Sequence, residues 1–219
     1  MLGLASCIGA RWVLKPANGV DHQVFSPGKG SPSEHRAALG FDPTMPLMLF
    51  VGRFVAIKRL NLVRQMAAAR PDWQWCVIGQ GPEQPATWGL PNVRVLPPMS
   101  QSQLVGFYRG ADLLVLPSAS EGFPLVVQEA MACGLPVCIT ALVAAGSVMP
   151  DGLWLELPER PDRPRETAQR GAEAIDAWLA SPEAHRRDQR ADCARFAAGH
   201  WRWDAAARAH TRWLHGEPG

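Results

Sequence analysis

Apolar runs of strand length recur along this chain, and most are released into a polar or glycine-bearing loop. Residues 47–51 read L-M-L-F-V, 73–78 read W-Q-W-C-V-I, and 112–116 read D-L-L-V-L. Val93–Leu96, 136–140 and 153–157 are shorter or weaker versions. Segments of helical length lie between them. Residues 34–39 follow Ser33 as N-cap and stop at Gly40, and 59–69 stop before Pro71. Residues 101–109 place Leu104, Phe107 and Tyr108 on one side, and 124–133 carry Pro at the first turn and Gly134 at the end. Strand, loop, helix, strand at this cadence predicts an α/β fold with one doubly wound, mostly parallel sheet and helices on both faces.

The margins are different. A short strand is predicted at 12–15, closed by the Asn18-Gly19 turn signal, and residues 26–33 (S-P-G-K-G-S-P-S) read as a loop. After residue 160 the composition shifts to Ala, Arg, Asp and Glu, which predicts a helical tail over 164–180, 182–197 and 201–214. On the last helix Trp203, Ala207, His210 and Leu214 fall on one face, flanked by Trp201 and Trp213.

The bulk numbers exclude some classes. A net charge of +2 gives no reason to expect nucleic acid, and no run approaches transmembrane length. Five cysteines show neither a C-x-x-C pair nor zinc spacing with histidine, which fits a reducing cytosol. No metal is expected. Arginine supplies almost all the positive charge, so the three lysines (Lys15, Lys29 and Lys58) stand out.

In open α/β sheets ligands sit outside the carboxyl ends of the strands. After residues 47–51 come Gly52 and Arg53, then Lys58 and Arg59 near a helix start, where cations oppose the helix dipole unless an anion docks. A solvated surface pair is the alternative. Gly79-Gln80-Gly81 permits either close approach of a ligand or an ordinary tight turn. Residues 117–124 (P-S-A-S-E-G-F-P) follow the most apolar strand, and the backbone amides of Gly122 and Phe123 could face the same crevice. Glu121 and Glu129 bracket the next helix start. Val126, Val127, Ala130 and Met131 leave Glu129 little polar face, so a plain solvated glutamate is disfavoured there.

Taken in order, G-R-F-V-A-I-K (52–58), V-I-G-Q-G-P (77–82), Y-R-G-A-D-L-L-V-L-P-S (108–118) and E-G-F-P-L-V-V-Q-E-A-M-A-C-G-L-P-V (121–137) resemble glycosyltransferase family 4. The resemblance runs from about residue 12 to 140, more weakly through the tail. It implies a retaining, nucleotide-sugar-dependent enzyme of the GT-B fold, of which this chain holds the second Rossmann-like domain. Residues 1–26 would then be the segment leading in from an N-terminal acceptor domain, 27–198 the donor-binding domain and 199–219 the helix that crosses back. The acceptor half would be a further domain or a partner chain.

The resemblance also implies roles. Glu121 would lie at the sugar and the reacting centre, Glu129 would hold the ribose hydroxyls, and Arg53 and Lys58 would sit on the donor diphosphate. Gly52, Gly79 and Gly81 belong to the surrounding loops, and Gly122, Phe123, Leu125 and Val126 would turn backbone amides toward sugar and phosphate. The donor would be a UDP- or GDP-linked sugar, with no cofactor, and the enzyme would work in the cytoplasm or at the inner face of a membrane. Gln80, Pro97-Pro98 and A-L-V-A-A-G-S-V (141–148) depart from the family pattern. The rival readings are a non-catalytic nucleotide-sugar-binding or scaffold module and, on the same fold, an epimerase or phosphorylase. The latter two would want further acid/base residues or an anchored cofactor lysine.

Overall fold

The apolar runs become the strands of a single sheet. The computed structural model describes residues 19–122, 124–147, 149–160 and 162–214, so the strand expected at 12–15, and Phe123, lie outside the described residues. The strands are β1 (Leu47–Val51), β2 (Gln74–Ile78), β3 (Val93–Leu96), β4 (Leu113–Leu116), β5 (Val137–Ile139) and β6 (Trp154–Glu156). Their order is β3-β2-β1-β4-β5-β6, and every pair is parallel. Leu49 pairs with Cys76 on one side and Leu114 on the other. β1, β4 and β5 are buried along their whole length, whereas the edge strands β3 and β6 are not. A parallel strand covered on both faces has no polar side to present, which is why the central strands read as unbroken apolar runs.

Eight helices complete the described fold: α1 (Pro32–Ala38), α2 (Leu60–Ala69), α3 (Gln101–Gly110), α4 (Leu125–Ala132), α5 (Ala141–Ser147), α6 (Pro164–Leu179), α7 (Glu183–His200) and α8 (Trp203–Leu214). They pair as α1 on α3, α2 on α6 and α4 on α7. Several expectations are corrected. Ser31, not Ser33, caps α1. Its hydroxyl accepts from Glu34 N at 3.2 Å while the Glu34 carboxylate accepts from Ser31 N at 2.6 Å, and Pro32 fills the first helical position. Val105 takes the inner place on α3 beside Leu104 and Tyr108, and Phe107 is only half-buried. β2 starts at Gln74 because Trp73 N closes a turn onto Arg70 O.

Asp112 stands just before β4 rather than in it. Its carboxylate accepts from Leu47 N at 2.8 Å and pairs with Arg36 at 2.8 Å. The helix α5 was not anticipated. Thr140 starts it, with its hydroxyl accepting from Val143 N at 3.4 Å. Gly19 has a tight structural reason: a Cβ there would stand 2.3 Å from Trp203 N. Val20 N bonds Trp201 O, tying the lead-in to the base of α8, while Trp203 is 54% exposed and Ala207 is exposed. Cys76, Cys133, Cys138 and Cys193 are free and buried, and burial pushes each thiol up to about 12, which makes all four apolar filling. Among the described residues no helix is long and apolar enough to cross a membrane.

Candidate functional site

The strand order reverses between β1 and β4, so the connections leaving their carboxyl ends part and leave a crevice. The loop after β1 carries Gly52, Arg53 and, on a 3-10 turn over Ala56–Lys58, Lys58. The loop after β4 carries Ser118 to Pro124. Ala119 N donates to Ile57 O at 2.8 Å, which stitches the two loops together.

Across that seam Lys58 Nζ pairs with Glu121 Oε1, and both side chains are largely buried. Two residues 63 apart in sequence thus meet at the mouth of the crevice. Arg53 is exposed beside them, and its side chain has no ion-pair partner among the described residues. Arg59, expected as the first residue of a helix, is instead the N-cap of α2 in the left-handed region (φ 51°, ψ 46°). Such a conformation costs a non-glycine residue about 1–2 kcal/mol. The side chain so directed pairs with Glu159 at 2.5 Å.

Glu129 lies just over one turn into α4, eight residues after Glu121 in the preceding loop, and is only 7% exposed. Its carboxylate accepts from Tyr108 Oη at 2.8 Å and from Gln101 Nε2 at 3.3 Å. Burial raises its pKa above the ordinary glutamate value, opposed by those two hydrogen bonds. Gln101 and Tyr108 are seven residues apart on α3, two turns along one stripe, so a single helix face presents both donors. An ionised carboxylate accepts about four hydrogen bonds, so acceptor capacity remains for a ligand hydroxyl.

The α4 start is electrostatically open. Pro124 caps it without a side-chain hydrogen bond, and no acid occupies the first turn. The amides of Leu125 and Val126 are therefore among the orphan donors of the helix end. Leu125 is exposed and Val126 half-buried. Space around Gly122 is clear, with nothing within 4 Å of a built Cβ. Gly79 and Gly81 are different. A Cβ at Gly79 would meet Gly52 O at 1.9 Å, and one at Gly81 would meet Phe54 O at 2.3 Å. Their missing side chains let the loop after β2 lie against the loop after β1, with Phe54 N bonded to Gln80 O at 2.8 Å.

The structure thus joins Lys58 to Glu121 and carries Gly52, Arg53, Gly122, Leu125, Val126 and Glu129 on the same two loops and on α4 at the carboxyl end of the sheet, with Gly79 and Gly81 packed behind the loop after β1. Tyr108 and Gln101 were missed as site residues, since Tyr108 read as part of an apolar helix face. Ser118 lies at the start of the loop after β4. It is fully buried at the end of β4, its Oγ has no partner among the described residues, and its carbonyl accepts from Thr140 Oγ1 at 3.2 Å.

Comparison with known proteins bears on the family and the fold. Residues 32–195 match the family described as glycosyl transferases group 1. A D-inositol 3-phosphate glycosyltransferase of Frankia alni is 35% identical over 216 residues, which cover 90% of this chain and 51% of that protein. Sucrose-phosphate synthase from Thermosynechococcus elongatus superposes with a TM-score of 0.76 at 26% identity, over 91% of this chain and 51% of that one. The C-terminal domain of a glycosyl transferase group 1 family protein from Francisella tularensis gives a TM-score of 0.66 at 21% identity, over 84% of this chain and 99% of that one. The matched region spans between a third and about half of the length of the curated relatives.

Proposed function

The chain belongs to the glycosyl transferases group 1 family, and from that premise we propose that it is the donor-binding half of a retaining glycosyltransferase that moves a sugar from a nucleoside-diphosphate sugar to an acceptor hydroxyl. The observation that carries this reading is the pairing of Lys58 with Glu121 at the β1/β4 crevice, with Glu129 buried just over one turn into α4, the helix that follows this loop. A cation, a backbone-amide terminus and two carboxylates suit a nucleotide sugar, which has hydroxyls at both ends and phosphates between.

In this reading Glu129 accepts from the ribose hydroxyls, and Tyr108 and Gln101 aim it. Arg53, Lys58 and the amides of Leu125 and Val126 take the diphosphate, whose charge grows as the glycosidic C–O bond breaks. Glu121, beside the clear space at Gly122, meets the sugar. Phe123 adds a backbone amide. The acceptor oxygen attacks the face the diphosphate leaves, so configuration is retained. The sugar is UDP- or GDP-linked. Ile57, Leu125 and Leu142, all exposed, follow the carboxyl ends of β1, β4 and β5, and Trp203 on the tail is exposed as well. They suit an acceptor half supplied in cis or in trans, without which the chain binds donor and transfers little. The enzyme acts in the cytoplasm or at the inner face of a membrane.

Calorimetric titration with UDP, GDP and ADP, then with the matching nucleotide sugars, tests this. One base should bind saturably, and Arg53→Ala with Lys58→Ala should weaken it by about a hundredfold, or ~3 kcal/mol. Glu129→Ala should weaken the free nucleotide, whereas Glu121→Ala should spare it and weaken only the sugar-bearing donor. Lack of saturable binding to any of the three nucleotides overturns the reading, and equal losses from the two glutamate variants overturn the division of roles.

A further inference from the structure

A second constellation lies on the opposite edge of the sheet. A cavity of ≈ 750 Å³ opens beside Asp112 and Gly134, the residues that lead into β4 and β5, so it faces the amino ends of the strands, away from the donor crevice. That volume is in the usual range for a small-molecule site. Its wall carries Arg36, Arg109, Arg186, Arg187 and Arg190 against only Asp112 and Glu183.

The charge is not balanced. Asp112 is already committed to Arg36 and to Leu47 N, and Glu183 is exposed. Arg109 spends Nε on Ser26 O at 2.9 Å and Nη2 on Ser26 Oγ at 3.5 Å. Arg190 reaches Gly134 O at 3.2 Å and Ala111 O. Neither has a carboxylate partner among the described residues. Carbonyls satisfy part of the hydrogen-bonding geometry of a guanidinium without neutralising it, and burial pulls the Arg190 pKa down, with Asp112 opposing. Each guanidinium carries five N–H groups, so both retain donors.

The glycine-flanked lysine loop at 26–33 has no part in the donor crevice, but it borders this cavity. Gly28 and Gly30 line it, and Lys29 between them is exposed. A Cβ at Gly28 would stand 2.7 Å from Arg109 Cδ and 2.8 Å from His35 Nε2. His35 Nε2 is itself buried with no partner among the described residues. Trp178 supplies an apolar wall.

We propose that this cavity binds a phosphate-bearing small molecule, with the phosphate held by Arg109 and Arg190 and its organic body against Trp178, while Lys29 and Arg187 add charge at the rim. Guanidinium N–H pairs match phosphate oxygens in a way a single ammonium does not. The cavity exceeds the volume of a bare phosphate, which is why the ligand is given a body. The proposal stands whether or not the donor crevice binds a nucleotide.

Amide chemical-shift titration of the full chain with pyrophosphate tests it. Saturable shifts at Gly28, Gly30 and Gly134 are expected. Lys29→Glu with Arg187→Glu should weaken them by about tenfold or more. Both residues are exposed and unpaired among the described residues, so the melting temperature should hold. Shifts confined to the loop 52–58 and the start of α4, or a dissociation constant at the cavity indifferent to the double reversal, would overturn the site. A parallel arm uses phosphatidic-acid vesicles. Failure to cosediment supports a soluble ligand, whereas cosedimentation abolished by the double reversal overturns that source in favour of a lipid headgroup.

Discussion

Two neighbouring helices begin in opposite ways. α3 is closed at its start by a reciprocal box between Ser100 and Gln103, with Ser100 N donating to Gln103 Oε1 at 2.9 Å. α4 begins at Pro124 with no side-chain cap and no acid in its first turn. The same contrast separates α1, boxed by Ser31 and Glu34, from α2, whose N-cap is a left-handed arginine. The open pair are the helices that follow β1 and β4, at the point where strand order reverses. Caps neutralise a positive helix end, and they are absent where an anion would use it. The closed helix serves the open one, because α3 delivers Tyr108 and Gln101 to the carboxylate of α4.

The largest effect that would sharpen this contrast comes from Tyr108→Phe. The ring stays in its fully buried place, edge-on to Phe25 at 6.0 Å, and only the hydrogen bond to Glu129 is lost. Nucleotide affinity should fall about tenfold, ~1.4 kcal/mol. In a Glu129→Ala background the same change should do almost nothing, since its effect runs through that carboxylate. Burial already raises the Glu129 pKa, and Tyr108 is the first group opposing it. Binding needs the ionised form, so affinity should fall as pH drops through the raised value, and in Tyr108→Phe that fall should come at higher pH. The fold responds in the opposite sense, because a glutamate raised in the native state gives stability as pH falls toward the ordinary range. An affinity loss with an unchanged pH profile would leave Tyr108 a packing residue only.

Ser100→Ala should act on the other side of the comparison. It removes one half of the box that closes α3 and should cost about 1 kcal/mol of stability, read by urea denaturation. Nucleotide affinity should be unchanged once the protein is saturably folded. A comparable loss of affinity would mean that the closed start is itself part of the site.

What could be read from residue order follows a physical divide. The central strands were legible because burial on both faces leaves unbroken apolar runs. α5 was not, because A-L-V-A-A-G-S has no amphipathic period and its starting signal is the single hydroxyl of Thr140. The α1 cap was legible and misplaced: Ser31 and Glu34 stand at capping-box spacing around Pro32, a stronger signal than Ser33 alone. At the crevice, the loops and Glu121 were singled out by their place after strands, and Glu129 by the apolar residues around it on its helix. The meeting of Lys58 with Glu121 and of Tyr108 with Glu129 depends on how distant loops and helices pack, which no local pattern encodes.

The smallest effect cuts the comparison most directly. Leu125 is exposed in the first turn of α4, so Leu125→Glu supplies the acid that this helix lacks without disturbing the core. A carboxylate there should interact favourably with the dipole and stabilise the chain by about 0.5 kcal/mol. The same charge sits where the donor diphosphate would dock, and affinity should fall about threefold, a loss that shrinks as ionic strength rises. The two signs together are the point: a helix start left open for an anion gains stability and loses binding when it is closed. A gain in stability with affinity intact would show that the open start of α4 serves no ligand. The asymmetry between the two helices would then reduce to the accident of a proline.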